Sequence, residues 1–238
     1  MKGLTIICAT RETEDGFYKN CLLGKTIESA YREFGLHIHM FFENTRGLSE
    51  CYNIGISKAD EEDILVFVHD DIAISDFFWI KNVIIGLERF HLIGVAGNRR
   101  RVKNQPAWVF INFDQENKKW KKEKGENLSG MVGHGNSFPC DVSIYGRPEQ
   151  ECVLLDGVFL AARKKTFVER NISFDERFNF HFYDMDICRQ FEQNGLSMGT
   201  VPISIVHDSG GNFGTPEWIA AYEVYLDKWE RWEALNSH

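Results

Sequence analysis

The sequence predicts an α/β fold, a parallel sheet with helices on both faces, formed as a single domain. Two observations carry that prediction. Strand-like apolar runs alternate with helix-periodic segments through the first half of the chain. The run Ile64-Leu65-Val66-Phe67-Val68 is apolar at every position, the pattern of a strand buried on both faces. Composition supplies the core material, since 43% of the 238 residues are hydrophobic and 13% aromatic.

In chain order, Leu4 to Ala9 reads as a strand. Cys21 to Phe34 places Leu22, Leu23, Ile27, Ala30, Tyr31 and Phe34 at helical spacing, and His37 to Phe42 returns to strand. Ser49 to Ala59 reads as a helix with Ser49 as N-cap, ahead of the Ile64 strand. Asp76 to Phe90 is a further helix and Leu92 to Ala96 a further strand. Ala107 to Phe113, the turn-like Asp114 to Asn117 and Trp120 onward suggest a hairpin, followed by a glycine-rich, mobile loop with Gly130, Gly133, Gly135 and Asn136. Val153 to Ala162 is an apolar run interrupted by Asp156-Gly157. Asp184 to Asn194 reads as a short helix closed by Gly195, and Met198 to Val206 as a strand delivering His207-Asp208. Between Pro216 and Leu235, Trp218, Tyr222, Tyr225, Trp229 and Trp232 form one aromatic stripe on a helix. The stripe suits packing against the rest of the chain first and an oligomer seam second. A membrane interface ranks third, because Glu217, Glu223, Asp227, Glu230 and Glu233 would oppose an anionic surface.

A net charge of −8 argues against a nucleic-acid partner. The basic clusters Arg99 to Lys103 and Lys118 to Lys122 are either solvated loop charge or local contacts for an anionic substrate. Cys8, Cys21, Cys51, Cys140, Cys152 and Cys188 show no CxxC spacing and are read as reduced thiols. Leu4 to Ala9 follows the first residue too closely for a signal peptide, and no apolar segment reaches bilayer length. A cytoplasmic chain is expected, with peripheral membrane contact left open.

Four polar constellations interrupt this apolar framework. His69-Asp70-Asp71 ends the Ile64 strand, where α/β sheets bind ligands. Alternation puts His69 and Asp71 on one side and Asp70 on the other; such carboxylates either ligate Mg²⁺ or Mn²⁺ or merely cap the next turn. In Phe178-Asn179-Phe180-His181-Phe182-Tyr183-Asp184-Met185-Asp186, aromatic residues lead into a helix whose first turn carries two acids. An ionised carboxylate there suits a general base, the alternative being Asp184 as a plain N-cap. His207 ends a strand before the flexible Ser209-Gly210-Gly211, from which an imidazole can reach a metal. Asp156-Gly157 is either a substrate-facing kink or a β-bulge.

Together these elements resemble the family-2-like glycosyltransferases of the GT-A fold, over Leu4 to about Gly211. The resemblance implies a mixed, mostly parallel central sheet flanked by helices. It further implies a catalytic domain over 1–215, donor-binding to about residue 100 and acceptor-side beyond, with 216–238 as a helix packed upon it. Ala9, Thr10 and Arg11 match the family's nucleotide-base loop, Glu43 its acidic contact to the same moiety, and Asn53-Ile54-Gly55 its Asn-x-Gly helix, with Asn53 implied among the donor-binding residues. The family's DxD motif falls on His69-Asp70-Asp71, with His69 replacing the first acid. Asp71 then matches a metal ligand, His69 and Asp70 fall to the donor, and His207 matches the late histidine ligand. Asp184, with Asp186 beside it, matches the catalytic acids, in a Tyr183-Asp184 pair where many members have Glu-Asp. Asp156-Gly157 resembles the sugar- or acceptor-contacting turn. The implied cofactor is Mn²⁺ or Mg²⁺, and the implied partners are a nucleotide-diphosphate sugar and a glycan or lipid-linked acceptor. Two competing expectations are a non-catalytic nucleotide-sugar-binding subunit and a sugar nucleotidyltransferase. The latter calls for a glycine-rich basic loop after the first strand, and Thr10-Arg11-Glu12-Thr13-Glu14 is not one.

Overall fold

A computed structural model describes residues 3–27, 36–114, 116–117 and 119–236. The first part of the chain forms β1 (Leu4–Ala9), α1 (Glu14–Asn20), α2 (Leu22–Ile27), β2 (Leu36–Phe41), α3 (Leu48–Lys58), β3 (Ile64–Val68), β4 (Ile72–Ile74), α4 (Trp79–Arg89), β5 (Leu92–Gly94) and β6 (Ala96–Asn98). Next come β7 (Phe110–Asp114), β8 (Lys119–Lys122), β9 (Leu128–His134), β10 (Asp141–Gly146), β11 (Glu151–Cys152), β12 (Leu154–Leu155) and β13 (Phe159–Arg163). The chain then adds α5 (Lys164–Glu169), α6 (Tyr183–Gln193), β14 (Met198–Thr200), β15 (Ile205–His207) and α7 (Pro216–Asn236).

A seven-stranded sheet of order β11-β14-β5-β13-β3-β1-β2 carries the core. β3 sits inside it, buried at all five positions, paired parallel with β1 and antiparallel with β13. Pairings β1·β2, β1·β3 and β5·β14 are parallel, whereas β13 and β11 run antiparallel to their neighbours, so the sheet is mixed in equal measure. Behind β3, Tyr52 packs at 5.0 Å from both Phe67 and Phe174. Each such fully buried side chain contributes about 1.5–3 kcal/mol by leaving water.

A second sheet, β12-β6-β9-β15-β4, leans on the first, and the chain steps between them repeatedly. Leu92 to Ala96, Val153 to Ala162 and Met198 to Val206, each a single apolar run in sequence, are each split across both sheets. The expected mobile loop is also different: Gly130 and Gly133 lie in β9. Gly130 has φ 100°, and a side chain there would strike the Val95 carbonyl, so glycine serves strand-to-strand approach.

Local chemistry explains the remaining shifts of boundary. α1, absent from the sequence reading, is short and buries only Phe17, too little to show a period; the Thr13 hydroxyl accepts from Gly16 N at 3.1 Å and caps it. Ser49 does not cap α3, whose N-cap is Gly47; its hydroxyl donates to the Phe178 carbonyl at 2.6 Å. Asp184 is likewise not an N-cap, because Phe182 holds that position at φ 66°. The expected continuation of the Cys21 helix through Ala30, Tyr31 and Phe34 lies outside the described residues, as does Lys118.

α7 lays its aromatic stripe against the segment leading into α6. Trp218, Tyr222 and Tyr225 surround Phe182 with ring centroids 5.0–5.4 Å away. Trp229 is buried under the Arg189 guanidinium, 4.2 Å from its ring, while Trp232 remains exposed.

Candidate active site

The site gathers where the chain crosses between the sheets. After Val68 the crossing from β3 to β4 consists of His69, Asp70 and Asp71, and β15 pairs with β4 so that His207 lies opposite Ile72. Asp208 N donates to the Asp71 carbonyl at 3.0 Å and secures this register. One ligand atom each from His69, Asp71 and His207 lies within 4.8 Å of the others. His207 Nε2 stands 3.3 Å from Asp71 Oδ2 without hydrogen-bond alignment, and His69 Nδ1 stands 3.9 Å from Asp71 Oδ1. Among the described residues Asp71 Oδ1 and His207 Nε2 are buried and find no hydrogen-bond partner. Converging, unsatisfied nitrogen and carboxylate donors fit a divalent cation.

The charges follow from this enclosure. Burial would raise the Asp71 carboxyl, but the two imidazoles beside it hold it below its ordinary range. Burial pulls His69 down, favouring the neutral ring, whereas for His207 the Asp71 carboxylate outweighs burial and pushes it up.

A second crossing, from β12 to β13, is the turn Asp156-Gly157-Val158. Its backbone ties the site together: Val158 O accepts from His69 N at 3.3 Å, Gly157 O accepts the Tyr183 hydroxyl at 2.8 Å, and Gly157 N donates to Asp184 Oδ2 at 3.2 Å. Any side chain at Gly157 would collide with the Tyr183 hydroxyl and come to 2.8 Å from Asp184 Cβ. The Asp156 carboxylate accepts from Val158 N and is pushed up by burial. Asp184, in the first turn of α6 and partly accessible, is pushed up to about 7, by burial first and then by the facing Asp156. The helix N-terminus therefore does not keep it fully ionised at neutral pH. Phe180, half exposed, stacks over His69 at 5.6 Å and walls the cleft.

On the other side of the β3 end lie the residues that sequence assigned to the donor. Asp70 accepts from the Cys21 thiol at 3.6 Å, and that thiol is 3.7 Å from the Thr10 hydroxyl. Arg11 and Glu43 are exposed, and Glu43 N donates to the Glu12 carbonyl at 2.9 Å. Asp70 and Asp71 thus make separate contacts, although both lie in the turn after β3 and not in a strand.

Three sequence expectations do not meet this geometry. Asn53 faces away from the β3 end and clamps Phe174, accepting from its N and donating to its carbonyl at 2.9 Å each. Asp186 is fully buried on the opposite side of α6, bound by Lys228 Nζ at 2.6 Å, Trp229 Nε1 at 3.0 Å and Gln190 at 2.8 Å. Two residues along a helix is over half a turn, so Asp184 and Asp186 cannot share a face. Of the basic cluster Arg99 to Lys103, Arg100 and Arg101 are engaged by Glu123 at 2.8 Å and Glu192 at 2.8 Å, against their use as contacts for an anionic substrate.

Sequence reasoning missed one participant. Tyr183 reaches His69 Nε2 at 2.7 Å, a contact across 114 positions that no local pattern reveals. His69, which the sequence reading assigned to the donor, lies with Asp71 and His207, one ligand atom of each within 4.8 Å of the others.

This arrangement is that of the GT-A glycosyltransferases, a mixed α/β fold with its polar cleft at the strand ends. A model of a glycosyltransferase-like family matches residues 6–226, and the chain belongs to that family. GalNAc-T7, crystallised with UDP, GalNAc and Mn²⁺, is similar at TM-score 0.53 and 12% identity over 94% of this chain and 50% of that one. S. aureus TarS gives 0.49 and 14% over 95% and 64%, and the catalytic domain of Drosophila β1,4-galactosyltransferase 7, in complex with xylobiose, 0.42 and 10% over 84% and 65%. The chain thus spans one half to two thirds of these three solved structures. No curated protein sequence matches it.

Proposed function

We propose that the protein is a metal-dependent, inverting glycosyltransferase that moves a sugar from a nucleotide-diphosphate donor to an acceptor hydroxyl, in synthesis of a surface glycan or polysaccharide. The observation that carries this reading is the meeting, across Gly157, of a carboxyl poised near neutrality and a set of unsatisfied ion ligands. Asp71 and His207 would hold Mn²⁺ or Mg²⁺, which when bound supplies positive charge against the departing diphosphate.

The chain's own residues account for the rest. Ionised Asp184 takes the proton of the acceptor hydroxyl. The freed oxygen lone pair attacks the anomeric carbon, and the bond from that carbon to the diphosphate oxygen breaks, its electron pair leaving with the nucleoside diphosphate. Attack opposite the leaving group inverts the centre. Asp156, held by Val158 N, faces Asp184 and raises its basicity, while Thr10, Arg11, Glu43 and Asp70 border the place for the nucleoside. Phe180 and the buried Tyr183 exclude water from the His69 side.

Thermal melting against nucleoside diphosphates and nucleotide sugars, with and without Mn²⁺, tests this reading. The expected result is stabilisation by one nucleoside diphosphate that requires the ion and disappears in Asp71→Asn. Stabilisation of equal size without the ion would defeat the metal assignment.

A further inference from the structure

The hydrogen-bond chain from Gly157 to His69 fixes which ring nitrogen of His69 carries the proton. Gly157 O can only accept, so the single proton of the Tyr183 hydroxyl, 2.8 Å away, is donated to it. The Tyr183 oxygen must then accept from His69 Nε2, 2.7 Å away, which therefore carries the ring proton. Nδ1 of neutral His69 is left as a bare lone pair facing Asp71 Oδ1 at 3.9 Å. That oxygen is itself buried and without a hydrogen-bond partner among the described residues. Two lone pairs turned toward each other with no proton between them repel unless a cation lies in the gap.

Resting on the metal reading above, we propose that His69 Nδ1 is a third ligand of the ion and that Tyr183 is the positioning residue that presents it. The donor set becomes two imidazole nitrogens and one carboxylate. Such a set favours Mn²⁺ and its neighbours in the transition series over Mg²⁺, whose preference is for oxygen. The replacement of an acid by His69 and the presence of tyrosine before Asp184 are then one coupled device, because an imidazole needs a partner for its second nitrogen and a carboxylate ligand does not.

The test uses Mn²⁺ alone with the full chain. Free aquo-Mn²⁺, read by electron paramagnetic resonance, gives affinity, Mg²⁺ competition gives selectivity, and electron spin-echo modulation counts bound imidazole nitrogens. Two nitrogens are expected in the native protein and one in His69→Gln. Tyr183→Phe is expected to lower Mn²⁺ affinity by about tenfold or more, and to lower Mg²⁺ affinity much less, since outer-shell partners of a ligating histidine have effects of this size. Equal loss for both ions would mark Tyr183 as merely structural. One nitrogen in the native protein with Mn²⁺ bound overturns the His69 assignment and leaves the metal reading standing, whereas no Mn²⁺ binding overturns the metal reading itself. If Tyr183→Phe does not fold, the nitrogen count in His69→Gln still decides, because glutamine keeps an N–H for Tyr183.

Discussion

At Asp184 two influences oppose each other. The N-terminus of α6 favours a negative charge, but burial and the Asp156 carboxylate prevail and bring the group to about 7. Below that pH Asp184 is protonated and cannot accept the acceptor's proton, so kcat/KM should climb as pH rises through 7 and level off above it. Asp184→Asn should abolish transfer, by about a thousandfold or more, with nucleoside diphosphate affinity nearly unchanged in calorimetry. Equal loss of both would displace Asp184 as the base. Because its folded-state pKa lies above the unfolded value, the same group lends stability at low pH that is lost as pH rises toward 7, and Asp184→Asn should flatten that decline in urea titrations. Gly157 is the other residue without a substitute. Gly157→Ala should leave a folded chain by circular dichroism yet cost transfer at least about a hundredfold, because the displaced Tyr183 and Asp184 lose their registration.

Among the elements, α7 acts on the site through α6. Asp186 has its charge met by Lys228, which also pairs with Asp175 at 2.9 Å. Removing one partner of a buried pair strands the other, so Lys228→Ala should lower unfolding free energy by about 3 kcal/mol, measured as a shifted urea midpoint. Asp186 read as catalytic in sequence because two acids in a first turn look equivalent until the helix phase assigns one to the cleft and one to α7. Strands show the complementary limit. β1, β2 and β3 were legible because each stays in one sheet, with Ile64 to Val68 apolar throughout. Leu92 to Ala96 and Met198 to Val206 were not fully legible, since an apolar run looks the same whether its residues serve one sheet or two.

For the whole molecule, the residues nearest the strand ends were the readable ones. Asp71, Asp156, Asp184 and His207 declared themselves as polar interruptions of apolar runs, and the structure brings all four to one cleft. Tyr183, an ordinary aromatic in a segment rich in them, acquires its role only from chain folding. No helix among the described residues is long and apolar enough to cross a membrane.

The pairing of β4 with β15 has a consequence for how the protein opens. Asp71 and His207 are neighbours through backbone bonds of the smaller sheet, while His69 and the Gly157 turn are anchored to the larger one. A cation seated between them would rivet two layers otherwise joined by packing, by crossing segments of chain and by the buried Ser129–Thr200 hydroxyl bond at 2.6 Å. Amide hydrogen exchange at Ile72, Ala73 and Val206 should therefore slow when the ion arrives, making the seam between the sheets a reporter of occupancy that needs no substrate.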